Sequence, residues 1–81
     1  MSTRIALIGI IVENPDITEE LNRILHENRE YIVGRMGVPY RQRNINIISI
    51  VVDASNDVIS AMSGKLGLLK GCSVKTVYSK N

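Results

Sequence analysis

The sequence has few side chains suited to nucleic-acid or membrane binding. It contains no Trp, no Phe and only three Tyr, so it lacks the aromatic platforms on which bases stack. Its net charge of +2 is too small to drive nonspecific attraction to nucleic acid or to anionic lipid. We therefore expect no membrane partner and no direct nucleic-acid binding.

Cysteine and histidine are also scarce, since Cys72 and His26 are the only ones in the sequence. One cysteine can form no intrachain disulfide and no multi-thiolate metal cage, which favours a reducing, cytoplasmic location. No His or Cys lies three or four residues from His26, so we predict a solvent-exposed helix residue there. Cys72 is expected to be a small buried apolar side chain. The sequence thus indicates no cofactor and no metal.

Long hydrophobic runs are absent as well. The apolar run at residues 5–12 is far shorter than the roughly 20 residues that span a bilayer, and no small-residue cleavage site follows it. Two apolar runs of this modest length stand out, residues 5–12 (IALIGIIV) and residues 45–52 (INIISIVV). Successive strand residues point to opposite faces, and both faces of each run are apolar. These runs predict two central strands of a sheet.

Between these strands the pattern changes to a helix and then to a third strand. Asn14, Pro15 and Asp16 are typical of a helix start, with Asp16 and Glu19 resembling a capping box. Residues 31–38 (YIVGRMGV) predict an edge strand that stops at Pro39, with glycines suited to a bulge or a close backbone approach. Residues 39–44 predict the hairpin connection to the next strand. The apolar face of the helix is Ile17, Leu21, Ile24 and Leu25.

The last third of the chain predicts a second helix and a final strand. The helix is expected to begin at residues 55–57 and to end at Gly71. The strand is expected at residues 72–78 (CSVKTVY), with Lys75 typical of an edge. Gly64 and Gly67 predict a close approach of this helix to a neighbour. The side chains predicted to be buried are Val58, Ala61, Met62, Leu66 and Leu69.

The order βαββαβ predicts one α+β domain over residues 1–81 with a ferredoxin-like fold. Right-handed crossovers place both helices on one face of a four-stranded antiparallel sheet of order 4-1-3-2. The helices would then cover one apolar face and leave the other open, which favours a homo-oligomer, a dimer or a tetramer. The predicted covered face is Ala6, Ile8, Ile10, Val12, Ile48, Ile50 and Val52. The predicted oligomer interface is Ile5, Leu7, Ile11, Ile45, Ile47 and Val51.

The sequence shows no pattern of catalytic residues. It has no Ser/His/Asp set, no paired catalytic carboxylates and no dinucleotide fingerprint, so it gives no reason to predict an enzyme. Residues 63–67 (SGKLG) are similar to a phosphate loop, but the Lys precedes the second Gly and the segment lies in a helix. Arg35, Arg41 and Arg43 surround the hairpin, either as a clamp for an anion or as a solvated edge.

The chain resembles the ACT-like regulators of the iron-only hydrogenase system over residues 4–80. The resemblance is carried by residues 35–39 (RMGVP), 63–67 (SGKLG) and 74–77 (VKTV). It implies a ferredoxin-like fold, assembly through the sheet and a regulatory rather than catalytic role, with a small-molecule effector or a protein partner. In ACT domains the turn after the first strand meets the ligand, which implies a ligand site here at Asn14, Pro15, Asp16 and Ile17.

Two other functions remain open at this stage. Nickel sensors of the same superfamily use several histidines and a cysteine across an oligomer interface, whereas this chain has one of each. A small enzyme would need a site assembled between subunits. The turn also lacks the glycine common in ACT domains, and Pro15 removes one backbone amide.

Overall fold

Six strands and helices, joined by short turns, make up the part of the chain that the structure describes. The computed structural model describes residues 2–80. Short 3-10 turns occupy Pro15–Ile17, Arg29–Tyr31 and Arg41–Arg43. The strands and helices follow in the order β1 (Arg4–Val12), α1 (Thr18–Glu27), β2 (Ile32–Tyr40), β3 (Ile45–Ala54), α2 (Asn56–Gly67) and β4 (Cys72–Tyr78).

The strands form one antiparallel sheet in the order β2-β3-β1-β4. This is the predicted 4-1-3-2 order read from the opposite edge, and the ferredoxin-like α+β fold is confirmed. In the register, Ile8 lies opposite Ile50 and Leu7 opposite Val51, so side chains of like character share a face. All seven residues predicted for the covered face are buried. They form the core together with Ala54 and with side chains of the two helices, namely Leu21, Ile24, Leu25, Ile59, Met62 and Leu66.

The first helix begins slightly later than predicted, after a 3-10 turn at Pro15–Ile17. Asn14 Oδ1 accepts a hydrogen bond of 3.0 Å from the Asp16 amide and closes the 3-10 turn before α1. Asn14 thus accepts from an orphan amide, as predicted for the helix start. The capping box predicted for Asp16 and Glu19 is wrong, because Ile17 occupies the N-cap position of α1 and no side chain caps it. Ile17 is half-buried against the core rather than fully covered.

Strand β2 extends past Pro39, where we had predicted its end, and it begins at Ile32 rather than Tyr31. Pro39 lies opposite Asn46 within the β2–β3 ladder. An edge strand tolerates proline where the missing N–H faces away from the neighbouring strand. The predicted bulge is present as a register shift between Ile32 and Gly34. The predicted close backbone approach is not, because a Cβ at Gly34 would meet nothing within 4 Å.

Helix α2 differs from the prediction in its inward face and in its end. Its buried residues include Ile59, which the sequence prediction missed, while Ala61 is exposed. Ser63 Oγ lies 2.7 Å from Thr76 Oγ1 on β4, a hydrogen bond that ties the helix to the sheet edge. Met62 and Leu66 are buried as predicted, whereas Val58 and Leu69 are half-buried.

The end of α2 lies at Gly67, four residues before the predicted end at Gly71. Gly71 adopts φ 102°, and its carbonyl accepts from the amides of Glu13 at 2.7 Å and Asn14 at 3.0 Å. The glycine is therefore required by the turn into β4, not by a helix cap. Gly64 and Gly67 are exposed, and a Cβ at either position would meet nothing within 4 Å, so the predicted close helix approach is absent within residues 2–80.

No helix in the part of the chain described is long and apolar enough to cross a membrane.

Candidate functional site

The face of the sheet opposite the helices is exposed and apolar. Exposed fractions are 45% for Ile5, 43% for Leu7, 43% for Ile11 and 37% for Ile47. Ile45 and Val51 are half-exposed beside them. The structure therefore places all six residues predicted for an oligomer interface on one uncovered surface, which we call the open face.

The edge strands enlarge the open face beyond the six predicted residues. In the register, Met36 pairs with Ser49, Val38 with Ile47, and Tyr40 with Ile45 on β2 and β3. Val77 pairs with Leu7 on the other side. The sequence prediction missed these side chains because it considered the two central strands alone. The signal was present, since residues 36, 38 and 40 alternate as an edge strand should. The additional apolar residues of the open face are Met36, Val38, Tyr40 and Val77.

The middle of the open face is a shallow depression of about 300 Å³. It lies over Gly9, which pairs with Ser49 on one side and Lys75 on the other. Because Gly9 has no side chain, the central row of the face is lower than the flanking rows that carry Leu7 and Ile11. The open face is therefore two apolar ridges separated by a shallow trough whose lining is itself mostly apolar, with Ile11 and Ile47 beside Gly9.

The β1–α1 turn, where the family resemblance implies a ligand site, is largely engaged in its own structure. Asn14 accepts from the Asp16 amide, and its Cβ would lie 2.5 Å from a Cβ placed on Gly71. Asp16 lines a separate surface with Glu19, Glu20 and Arg23. Of the four predicted ligand residues, Pro15 lines a cavity that reaches the β2–β3 hairpin.

That cavity is one half of a groove between the start of α1 and strand β2. The half at the hairpin has a volume of about 180 Å³ and the half beside α1 about 240 Å³. Both halves are lined by Pro39 and Asn46, so they adjoin there. We call the whole the α1–β2 groove. Its other lining residues are Val12, Pro15, Tyr40, Arg41, Asn44 and Ile45 in the first half, and Thr18, Asn22, Arg35, Gly37, Val38 and Ile48 in the second.

The groove exists because β2 has no large apolar side chain on its helix side from Arg35 to Pro39, whereas Ile32 at its start packs against the core. On the helix side of the sheet, Arg35 lies opposite Ile50 and Gly37 lies opposite Ile48, two residues of the covered face. Pro39 lies opposite Asn46, the next residue on that side of β3. A Cβ at Gly37 would meet nothing within 4 Å, so the space above the strand is open. The helices cover β1 and β3 and leave this side of the edge strand free.

Polar groups converge on the groove. Arg35 Nη2 donates a hydrogen bond of 3.0 Å to Asn22 Oδ1, which joins β2 to α1. Asn46 is half-buried on the helix side of β3, opposite the buried Val12. No Asp or Glu lines either half. The sequence pattern placed Arg35 and Arg41 near the hairpin but could not show that Asn22 and Asn46 meet them.

The single histidine and the single cysteine do not form a shared site. His26 is exposed on α1, as predicted. Cys72 is half-buried, its thiol 3.5 Å from the Leu66 carbonyl oxygen and 3.7 Å from that of Leu69, and burial raises the pKa of the thiol. Within residues 2–80, no group of three or more His, Cys, Asp or Glu side chains could hold a metal ion.

The topology and the uncovered sheet define a ferredoxin-like α+β module with an exposed apolar face. Within that class, residues 4–76 match a family model described as "TM1266-like: Iron-only hydrogenase system regulator, putative". The chain belongs to this family.

Solved structures show the same relationship. The uncharacterized protein TM1266 from Thermotoga maritima is 39% identical with a TM-score of 0.93, over 98% of this chain and 100% of that one. A formyltetrahydrofolate deformylase from Pseudomonas putida KT2440 shares the fold at 13% identity and TM-score 0.68, over 95% of this chain and 29% of the deformylase. The divalent ion tolerance protein CutA1 from Ehrlichia chaffeensis shares it at 14% identity and TM-score 0.51, over 100% and 86% of the two chains. The last two show the fold alone. No curated protein matches the chain.

Proposed function

We propose that residues 1–81 form a single, cytoplasmic, non-catalytic regulatory domain that assembles as a homo-oligomer and responds to a small effector. The observation that carries this proposal is the open face, whose apolar residues extend over all four strands. A regulatory role is supported by the description of the family to which the chain belongs.

The physical basis for assembly is the exposed apolar area. Burial of apolar surface contributes about 25 cal/mol per Å² before the entropy of association is subtracted. Contiguous apolar patches of this kind are rare on monomers. A second copy offers the same apolar ridges, so a twofold contact would bury each open face against its equivalent.

The effector would bind beside the β1–α1 turn, at Asn14, Pro15, Asp16 and Ile17, and in the groove that begins at Pro15. Backbone amides and the positive end of α1 favour an anionic group at this location. Asp16 opposes that charge, but its side chain lies on another surface, with Glu19 and Glu20. The contact between Asn14 and the Gly71 carbonyl would hold the turn in one shape for a ligand.

Light scattering on a size-exclusion column tests the assembly. The wild-type protein should elute as a dimer or tetramer at tens of micromolar. Ile47→Lys places a charge in the open face and should give monomer or aggregate, whereas His26→Lys on the outer face of α1 should leave the mass unchanged. A monomeric wild type, or an unchanged mass for Ile47→Lys, would reject assembly through this face.

A thermal-shift screen of small metabolites tests effector binding separately. A ligand held at 100 times its dissociation constant should stabilise the folded state by about 2.7 kcal/mol. A screen in which no compound raises the melting temperature would count against an effector, whatever the oligomeric state.

A further inference from the structure

We infer that the α1–β2 groove binds a small organic anion, whose carboxylate or phosphate oxygens are held by Arg35 together with Asn22. This inference rests on the proposed effector-binding function and names the chemical class of the effector. It concerns the half of the groove of about 240 Å³ beside α1.

The first argument is the charge of the lining. Arg35 lines one half of the groove and Arg41 the other, and no carboxylate lines either. Within residues 2–80 the ion pairs are those of Arg23 with Glu20 and Glu27, so the guanidinium of Arg35 has no carboxylate partner. A guanidinium presents a planar fork of donors that matches two oxygens of a carboxylate or phosphate.

The second argument is the orientation of Arg35. Its Nη2 donates to Asn22 Oδ1 at 3.0 Å, across from β2 to α1. With Asn22 Oδ1 accepting from the arginine, the two Nδ2 hydrogens of the same amide remain available as donors. Thr18, one turn earlier on α1, lines the same half of the groove and carries a hydroxyl that can donate. A ligand oxygen in the groove would therefore meet donors from three side chains.

The third argument is Asn46, which breaks the apolar pattern of β3. The next three residues on its side of the strand, Ile48, Ile50 and Val52, are buried core residues. Asn46 is half-buried at the junction of the two halves of the groove, and the structure records no hydrogen bond for its side chain within residues 2–80. The polar atoms of this amide are open to solvent, so a ligand that enters the groove can reach them and form hydrogen bonds in place of water.

The size and charge of the groove limit the ligand. The half beside α1, of about 240 Å³, is smaller than the roughly 300–1,000 Å³ typical of sites for drug-sized molecules, so the ligand is a small acid or phosphate. A ligand ammonium would meet the two arginines and no carboxylate. An anion should thus bind better than a zwitterion, and a zwitterion better than a cation.

The binding test compares three four-carbon compounds whose two end groups are both carboxylates, one carboxylate and one ammonium, or both ammoniums: succinate, 4-aminobutanoate and 1,4-diaminobutane. Each is titrated into the nitrogen-labelled full chain at constant ionic strength and followed by two-dimensional NMR, with inorganic phosphate as a separate arm. Succinate or phosphate should shift the signals of Arg35, Gly37, Asn22 and Asn46 in a saturable way. The arm with the lower dissociation constant decides whether the site prefers a carboxylate or a phosphate.

Two pairs of variants test the location. Arg35→Gln and Arg43→Gln change the net charge equally, but Arg43 lines neither half of the groove. Arg35→Gln should weaken binding about tenfold or more, as expected for loss of a charged hydrogen bond, and Arg43→Gln should weaken it little. Gly37→Val fills the open space above β2 and should abolish binding, whereas Gly34→Val, also free of contacts within 4 Å, should not.

The inference is overturned if no anion gives saturable shifts, if the shifts lie outside the groove, or if both arginine variants weaken binding equally. Equal weakening would mean attraction to net charge rather than a site. If the anion site is overturned but the thermal-shift screen finds another effector, the proposed function still holds. A screen without any effector, in a protein that is also monomeric, rejects the proposed function itself.

Discussion

The two faces of the sheet carry similar side chains in opposite environments. On β3, Ile50 is 0% exposed and Ile47 is 37% exposed, although they are the same residue type three positions apart. On β1, Ile8 and Leu7 differ in the same way. The difference comes from the helices, which pack on one face alone. Residue type thus shows that both faces need a cover, but the topology decides which face obtains it within the chain.

A similar contrast exists within the covered side. Helices α1 and α2 bury the helix-side residues of β1 and β3, while the corresponding residues of β2 border a groove. Gly37 and Asn46 sit where large apolar residues would close the core. The covered side is therefore complete over the central strands and open at one edge, where we place the anion site.

The largest expected effect comes from comparing two separate truncations, one of an isoleucine on the covered face and one of an isoleucine on the open face. Ile50→Ala removes a fully buried side chain and should lower the free energy of unfolding by about 2–5 kcal/mol. Ile47→Ala should cost less at low protein concentration, and its cost should rise with concentration if the open face is buried between copies. Urea denaturation at two concentrations measures both. Equal, concentration-independent losses would contradict the contrast between the faces.

Two glycines offer the next contrast, between a crowded turn and the open groove. Gly71→Ala forces a side chain into φ 102° with its Cβ 2.5 Å from that of Asn14. We expect a loss of about 1–3 kcal/mol in the free energy of unfolding. Gly37→Ala meets nothing within 4 Å and should be neutral or slightly stabilising. A Gly71→Ala protein as stable as wild type, measured by thermal and urea unfolding, would show that the turn can relax.

A smaller effect is expected at the start of the helix that covers the β1–β4 half of the sheet. Ser55 Oγ accepts from the Val58 amide at 3.3 Å and caps α2. Ser55→Ala should lower the free energy of unfolding by about 1 kcal/mol. Ser60→Ala, at an exposed position inside the same helix, is the matched control and should be neutral or stabilising because alanine favours helix. Equal effects of the two variants would assign no role to the cap.

The smallest expected effect concerns Cys72, whose neighbour Ser73 belongs to the open face. Burial raises the pKa of the Cys72 thiol, so the folded state holds the proton more tightly than the unfolded state. That contribution to stability is complete below the unfolded pKa and is lost as the pH rises through the folded pKa. Stability should therefore decline slightly in the alkaline range, and Cys72→Ala should remove that part of the slope. An identical alkaline slope in Cys72→Ala, measured by urea unfolding at several pH values, would contradict this.

Much of the fold followed from the order of residues alone. Alternation in residues 5–12 and 45–52 predicted both central strands and assigned all seven covered-face residues correctly. The final strand was predicted with its bounds, Cys72–Tyr78. These features are local, because a strand's two faces follow from a repeat of two residues whatever surrounds it. The open face could be predicted for the same reason, because its residues are those that alternate with the covered-face residues along the two central strands.

Other features depended on distances between elements. Ala61 and Ile59 both suit a helix, and the packing of α2 on the sheet decides that Ile59 is buried while Ala61 is exposed. Pro39 continues β2 because that strand is an edge. The hydrogen bond of Arg35 to Asn22, and the place of Asn46 on the same groove lining, bring together residues from three elements. The sequence by itself determined which side chains share a face, whereas the tertiary structure decided which faces meet, because contact between elements depends on their packing and not on their own repeats.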